Sequence, residues 1–478
     1  MPRKENQSNR LASSIFDASA LGPIHRKDGP IYMHVYRRLA QLIDDGSLIE
    51  GARLPPSRFL AGQLAVSRFI VSYAYNLLAA DGYITSRGRA GTFVRRSHER
   101  RAHLGGRADP SVPRPSATSA PMFSVGLAPV EFFPRKIWVN LVKRRYGGMS
   151  PSDLLPQDPQ GSMTLRRALA NRLAITRGIF CTPDQIFVTA GMAGATALTA
   201  AAMIRNGDRV LVEDPSDPRC VRAVGAAGAA LIPVPVDADG MRIEEGLASC
   251  PLPRLTIVTP GCQYPMGVSL SVRRRKILLD LLRSTGSYAF EHDIQTDYRF
   301  SGSAVRSLAS EAEGNGVIYA LHLSEIVFPA LHISCVAVPL ELVESFRAAC
   351  AQLPSMAGPI EQGALADLVR RGHILRFFSA SHAACARRRE ALREAFAELG
   401  ARTYVPDAGL HMLVALRSLP DRSALSMLRE QGFAPEPLSR YSSSGHFPPA
   451  LVVGFASVTE ANARNAARLL AQYVELAH

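Results

Sequence analysis

Six short runs rich in Val and Ile, at residues 185–189, 209–213, 230–234, 255–259, 287–291 and 316–320, recur through the second part of the chain in alternation with helical stretches such as 165–176. A strand apolar on both faces is buried on both faces, and parallel strands need a long crossover, usually a helix. The rhythm therefore predicts an α/β unit: a mostly parallel sheet with helices on both sides. Ligands in such sheets gather at the carboxyl ends of the strands. No internal repeat is present.

Upstream of this rhythm, residues 95–121 read RRSHERRAHLGGRADPSVPRPSATSAP, rich in Arg, Pro, Ser and Gly and nearly free of large apolar side chains. Such a stretch reads as a linker. A chain of 478 residues exceeds what a single core organises. The expected division is therefore a first domain over 29–96, a linker over 97–121 and a second domain over 122–478.

Charge separates the two domains further. The net charge is +14, and residues 1–104 alone hold sixteen Lys plus Arg against eight Asp plus Glu. A basic excess concentrated in the first fifth of the chain points to a polyanion, because cations brought to phosphates release condensed counterions. The seven cysteines are scattered and form no C-x-x-C pair, which fits a reducing compartment. No apolar run is long enough to span a bilayer, and the polar start MPRKENQSNR is followed by no signal-peptide core. The expectation is a cytoplasmic protein with no membrane partner.

Within the basic domain, Pro30 opens a helix whose apolar residues Val35, Leu39 and Ile43 recur at helical spacing, and Gly46 stops it. Two short helices follow, 57–64 and 67–80, and then two strands, 83–86 and 92–94, around the tip RGRAG. This order sends the second helix into a major groove, with Ser67 as its N-cap and Arg68 on its first turn. Arg87 and Arg89 on the tip are placed to reach phosphates or the minor groove. The pieces PIY, LPPSR, VSR, LLAADGYITSR and GTFV, in this order, resemble the winged helix-turn-helix of the GntR family. That resemblance implies double-stranded operator DNA as partner, with contacts from Arg58, Ser67, Arg68, Arg87, Gly88 and Arg89. Phe69 and Ile70 stand where relatives are usually polar, and apolar groups there suit thymine methyls rather than bidentate hydrogen bonds.

The second domain resembles the fold-type I aminotransferase module of MocR-type GntR regulators. The landmarks are GSMTLRRALANRLAITRGI, VTAGMAGA, GDRVLVEDP, VTPGCQYPMGV, FEHDIQTDYRF, LHLSEIVFPALHIS and AGLHMLV. The resemblance implies pyridoxal phosphate as family cofactor, held by a lysine, with a carboxylate at the ring nitrogen and donors around the phosphate. By the same resemblance Glu325 stands at the lysine, His332 at a phosphate-binding arginine, His292 at the ring carboxylate and Ile294 at the tyrosine that meets the ring hydroxyl. Tyr264 and Gly191 belong to the same degenerate site. Asp293 does not replace His292, because neighbouring strand residues face opposite sides.

A plain count points the same way. The chain has only five lysines, Lys4, Lys27, Lys136, Lys143 and Lys276, and Lys276 in VRRRKILLDLL reads as a solvated helix face. Without the amine no cofactor is expected to bind covalently. What stays open is weak, noncovalent binding of pyridoxal phosphate or another small anion at the helix N-terminus that follows Gly191. Glu325 would need His292 or His332 beside it to escape a raised pKa. A metal held by His292, Asp293, Glu325 and His332 requires side chains that converge.

The expected function is a transcriptional regulator, homodimeric through its aminotransferase-like domain, which has lost catalysis and senses an unknown small-molecule effector. The alternatives are a ligand-free scaffold, a pyridoxal phosphate-dependent aminotransferase, or a regulator that responds to that cofactor through an atypical site.

Overall fold

The computed structural model describes residues 31–86, 91–95, 120–303, 305–353, 358–418, 422–445 and 447–477. The chain forms two compact units, divided near Pro113 and Arg114. Among the described residues no helix is long and apolar enough to cross a membrane.

In the first unit α1 (Ile31–Asp44), α2 (Ser57–Gln63) and α3 (Arg68–Ala80) pack on a small antiparallel sheet. Its strands are β1 (Arg53–Leu54), β2 (Ile84–Ser86) and β3 (Thr92–Val94), in the order β1-β3-β2. Val35 and Leu39, one turn apart on α1, meet Val71, Ala74, Tyr75 and Leu78, which follow the i, i+3, i+4, i+7 stripe of α3. Leu54, Ile84 and Val94 close the core from the sheet. Ala65, in the left-handed region at φ 51°, turns the chain between α2 and α3. The helices match the sequence reading to within a residue. The strand β1 is an addition: at two residues it is too short to show a period.

The second unit is built on an eight-stranded sheet of β4 (Ile186–Thr189), β5 (Arg209–Asp214), β6 (Ala230–Asp237), β7 (Gly240–Met241), β8 (Leu255–Val258), β9 (Tyr288–Asp293), β10 (Val317–Leu321) and β11 (Ser334–Ala337). Their order is β4-β11-β10-β9-β8-β5-β6-β7. The ladders from β10 through β9, β8 and β5 to β6 are parallel; β11 lies antiparallel between β10 and β4, and β7 antiparallel on β6.

Alternate residues of each strand feed two cores. Ile186, Val188, Leu211, Ala289 and Tyr319 join the core on one face, whereas Phe187, Val210, Val212, Phe290 and Ile318 join the core on the other. The helices Met163–Arg177 and Gly191–Met203 cover these two faces respectively. A separate antiparallel sheet, β12 (Thr403–Tyr404), β13 (His411–Ala415), β14 (Glu436–Pro437) and β15 (Ala450–Gly454) in the order β12-β13-β15-β14, packs on the long helix His373–Glu398 and on Ala463–Tyr473. All six predicted strands are present. The reversed β11 went unrecognised, because a short run buried on both faces carries no mark of its direction.

Candidate functional site

The first unit presents α3 with Ser67, Arg68 and Phe69 exposed at its start, and Arg58 exposed on α2. Ser67 occupies the N-cap position with extended backbone, yet its side chain makes no capping bond. Its hydroxyl is thus left for other partners. Phe69 is 75% exposed and stacks on Tyr73, whose ring also meets Tyr32 edge-on at 4.8 Å. A strip of aromatic carbon therefore runs along an exposed side of α3, whose first residue is Arg68. The predicted tip contacts Arg87, Gly88 and Arg89 lie outside the described residues.

In the second unit, the segments leaving the carboxyl ends of β4, β5, β9 and β10 converge on a cavity of about 300 Å³, where the parallel-sheet rule places it. After β4, Gly191 begins its helix at φ +66°, a conformation that favours glycine, and the helix start lines the cavity. After β5, Asp217 caps the helix Pro218–Ala226 by accepting the Arg219 N–H at 2.8 Å, and it also holds the Arg219 guanidinium at 2.6 Å. After β9 come Ile294 and Gln295; after β10 come His322, Ser324 and Glu325. Ser324 fixes this last turn by bonding both the N–H and the carbonyl of Ile333. His332, itself exposed, adds an imidazole to the wall.

From the C-terminal sheet region come Glu436, Arg440 and Tyr441. Arg440 pairs with Glu436 at 2.8 Å, and Tyr441 donates to the other oxygen of the same carboxylate. The Tyr264 and Tyr441 hydroxyls lie 3.2 Å apart.

The sequence-predicted residues thus divide. Gly191, Tyr264, Ile294, Glu325 and His332 share the main cavity. His292 lies beside it, in a small void of about 20 Å³ with Cys220 and Glu213, its Nε2 3.9 Å from the Cys220 sulfur. Asp293 faces the opposite side of β9, where Arg177 at 2.5 Å and the Tyr319 hydroxyl hold it. The four candidate metal ligands therefore do not converge.

Electrostatics sharpen the picture. Burial, helped by His322 and Arg219, holds the His292 imidazole neutral. Burial would raise Asp293, but Arg177 and the Tyr319 hydrogen bond outweigh it and keep the carboxylate ionised. Burial pushes Glu325 up to about 8, with Asp217 and Asp293 adding to the effect and Arg219 opposing it. Glu325 Oε2 is buried without a hydrogen-bond partner. Of the two outcomes weighed for it, a histidine partner or a raised pKa, the second holds. None of the cavity-lining residues is a lysine, and Lys136, Lys143 and Lys276 are all exposed on helices.

Asp217, Arg219 and His322 were missed by sequence reasoning, although Asp217 in VEDPSDPRC and His322 in LHLSE follow strands directly, a position that could have flagged them. Glu436, Arg440 and Tyr441 carried no local signal, since they reach the cavity from a distant part of the chain.

A pH dependence follows from these groups. Glu213 and Glu291 are each pushed up to about 7 and Glu325 to about 8 by burial. The folded chain therefore keeps protons that the unfolded chain, with carboxyls near 4.3, has released, and stability is lost as pH rises through those values. Burial lowers His292, and brings His322 and His411 to about 4. These imidazoles work oppositely, but only up to an unfolded value of about 6.5. Calorimetry should show a Tm that falls between about pH 6.5 and 8.5, the window of these carboxyls, with the thiols of Cys181, Cys220, Cys262, Cys335 and Cys385, also raised by burial, adding to the fall toward its upper end, and a shallower fall in Glu325→Gln. A Tm that is flat or rising over that window contradicts the assignment.

Comparison with known proteins places both units. Residues 31–94 match the family model of bacterial regulatory proteins of the gntR family, and residues 141–470 match aminotransferase class I and II. The chain is 30% identical over 458 residues to the probable rhizopine catabolism regulatory protein MocR of Rhizobium meliloti, covering 90% of this chain and 91% of that one. It is 27% identical to the pyridoxine biosynthesis transcriptional regulator PdxR of Corynebacterium glutamicum, covering 88% and 91%. Among solved structures, an archaeal alanine:glyoxylate aminotransferase superposes with a TM-score of 0.69 at 22% identity, over 75% of this chain and 91% of that one. The Pyrococcus horikoshii kynurenine aminotransferase gives 0.67 at 22% identity, over 75% and 91%. At such identities the likeness concerns the fold alone.

Proposed function

Because the chain belongs to the MocR-type group of GntR regulators, with a GntR unit joined to an aminotransferase class I and II unit, we propose that it is a cytoplasmic regulator of transcription. It binds double-stranded operator DNA through α3 and its neighbours, and its aminotransferase-like unit senses a small molecule instead of catalysing. The unit pairs with a second copy, so that two α3 helices meet two half-sites.

The observation that carries the non-enzymatic reading is the cavity wall. Pyridoxal phosphate chemistry supplies an electron sink, and the protein must provide an amine, a carboxylate at the ring nitrogen and cations or N–H groups for the phosphate. Here the wall has a carboxyl at Glu325 and no lysine. A neutral imidazole stands at position 292. Both arginines of the wall, Arg219 and Arg440, are already bound to carboxylates. The residues do not fit the cofactor. A ligand-free scaffold is disfavoured by the unpartnered polar atoms at the cavity, which cost free energy unless something binds them.

The test pairs two assays on the full-length protein. With pyridoxal phosphate supplied, transamination of the common amino acids should stay at the rate of free cofactor, while fragments of DNA from upstream of its own coding region should bind. Turnover above that background overturns the non-enzymatic reading, and absence of any sequence-preferring DNA binding overturns the regulatory one.

A further inference from the structure

We infer that the cavity of the second unit takes a small protonated amine, held without a covalent bond, with its ammonium group between Glu325 and His322. This rests on the reading of the unit as a noncatalytic sensor and names the chemistry of what it senses.

The cationic side chains Arg219 and Arg440 are each tied to a carboxylate, Asp217 and Glu436, at 2.6 and 2.8 Å. An anion entering here would have to compete with bridges already made. The unspent capacity is of the opposite kind. Glu325 Oε2 and His322 Nε2 are both buried, both belong to residues that line the cavity, and neither has a hydrogen-bond partner. His322 is the N-cap residue of the short helix Leu323–Ile326 and Glu325 lies within that helix, and both line the same cavity.

His322 is neutral, because burial brings it to about 4. One of its ring nitrogens must therefore be an acceptor. Its Nδ1 faces the Ser334 hydroxyl at 3.3 Å; with the proton on that side, Nε2 accepts. With Glu325 ionised and the His322 proton on Nδ1, these are two buried acceptors with no donor between them, and they suit a group that is all donor: an ammonium has three N–H bonds and a positive charge. Met192, Ile294 and the ring of Tyr264 supply the apolar wall for its carbon skeleton. The volume, about 300 Å³, is at the small end of ligand cavities. The anion that the sequence left open gives way to a cation for a simple reason: a carboxyl stands where the resemblance places a lysine, while the arginines nearby brought their own partners.

Binding has a proton signature. Near neutral pH burial, with Asp217 and Asp293 adding to it and Arg219 opposing, holds Glu325 in the empty cavity mostly as the acid. An ammonium beside it favours the carboxylate, so the carboxyl O–H bond breaks and the proton leaves to buffer.

The test is isothermal titration of the full-length protein at pH 7 with cyclohexylamine and putrescine, their neutral counterparts cyclohexanol and 1,4-butanediol, and inorganic phosphate and pyridoxal phosphate as anions, in two buffers of different ionisation heat. At least one amine should bind at least about tenfold more tightly than its alcohol counterpart, with proton release that Glu325→Gln abolishes together with the preference. The inference is overturned if an anion binds while both amines fail, if no compound binds, or if Glu325→Gln binds amine as tightly as the unaltered chain. The comparison of amine with alcohol on the unaltered chain decides the matter even where the variant folds poorly. Failure here leaves the regulatory reading standing; turnover of a bound amine would instead overturn the noncatalytic reading.

Discussion

Leu78→Ala is expected to abolish DNA binding while leaving the second unit folded. Leu78 is fully buried on α3, in contact with the apolar stripe formed by α1, α2 and the small sheet. Emptying such a site costs about 2–5 kcal/mol. A unit this small rarely has more than about 3–5 kcal/mol to lose. Two-domain calorimetry should therefore show one transition lost or moved far down and the other unchanged, with DNA affinity gone. A single cooperative shift of the whole chain would mean that the two units do not fold independently.

Arg68→Ala is expected to lose sequence-specific affinity with the fold intact. Arg68 is exposed at the start of α3, so its removal disturbs no packing, and a lost base contact costs about 1–3 kcal/mol. Binding titrations on a selected operator should weaken accordingly; unchanged affinity would place a different element in the groove. The neighbouring Phe69→Ala gives an internal control. It removes apolar contact and no charge, so it should relax base preference at one position without altering the salt dependence.

How much of this was legible beforehand depends on the length over which each signal accumulates. The strand-helix rhythm spans most of the second unit, and its register put Asp293 on the face away from His292, as the structure has it. The stripe Val71, Ala74, Leu78 likewise announces the buried side of α3. In contrast, the state of Glu325 depends on its burial and on Asp217, Arg219 and Asp293, which come from elements distant in sequence. The pairing of Arg440 with Glu436 is local in sequence, but its place at the cavity is set by a sheet assembled much later in the chain. Local pattern reveals which chemical groups are available; only the assembled fold shows which of them are already spent.

The central claim is that the cavity offers no amine to capture an aldehyde. Incubation of the unaltered full-length protein with pyridoxal phosphate, followed by borohydride reduction and peptide mass mapping, tests it most directly. No peptide containing cavity-lining residues should gain a pyridoxyl group, and any modification should be confined to exposed lysines such as Lys136, Lys143 and Lys276. One pyridoxyl group per chain, fixed in a peptide from the cavity wall, would contradict the account.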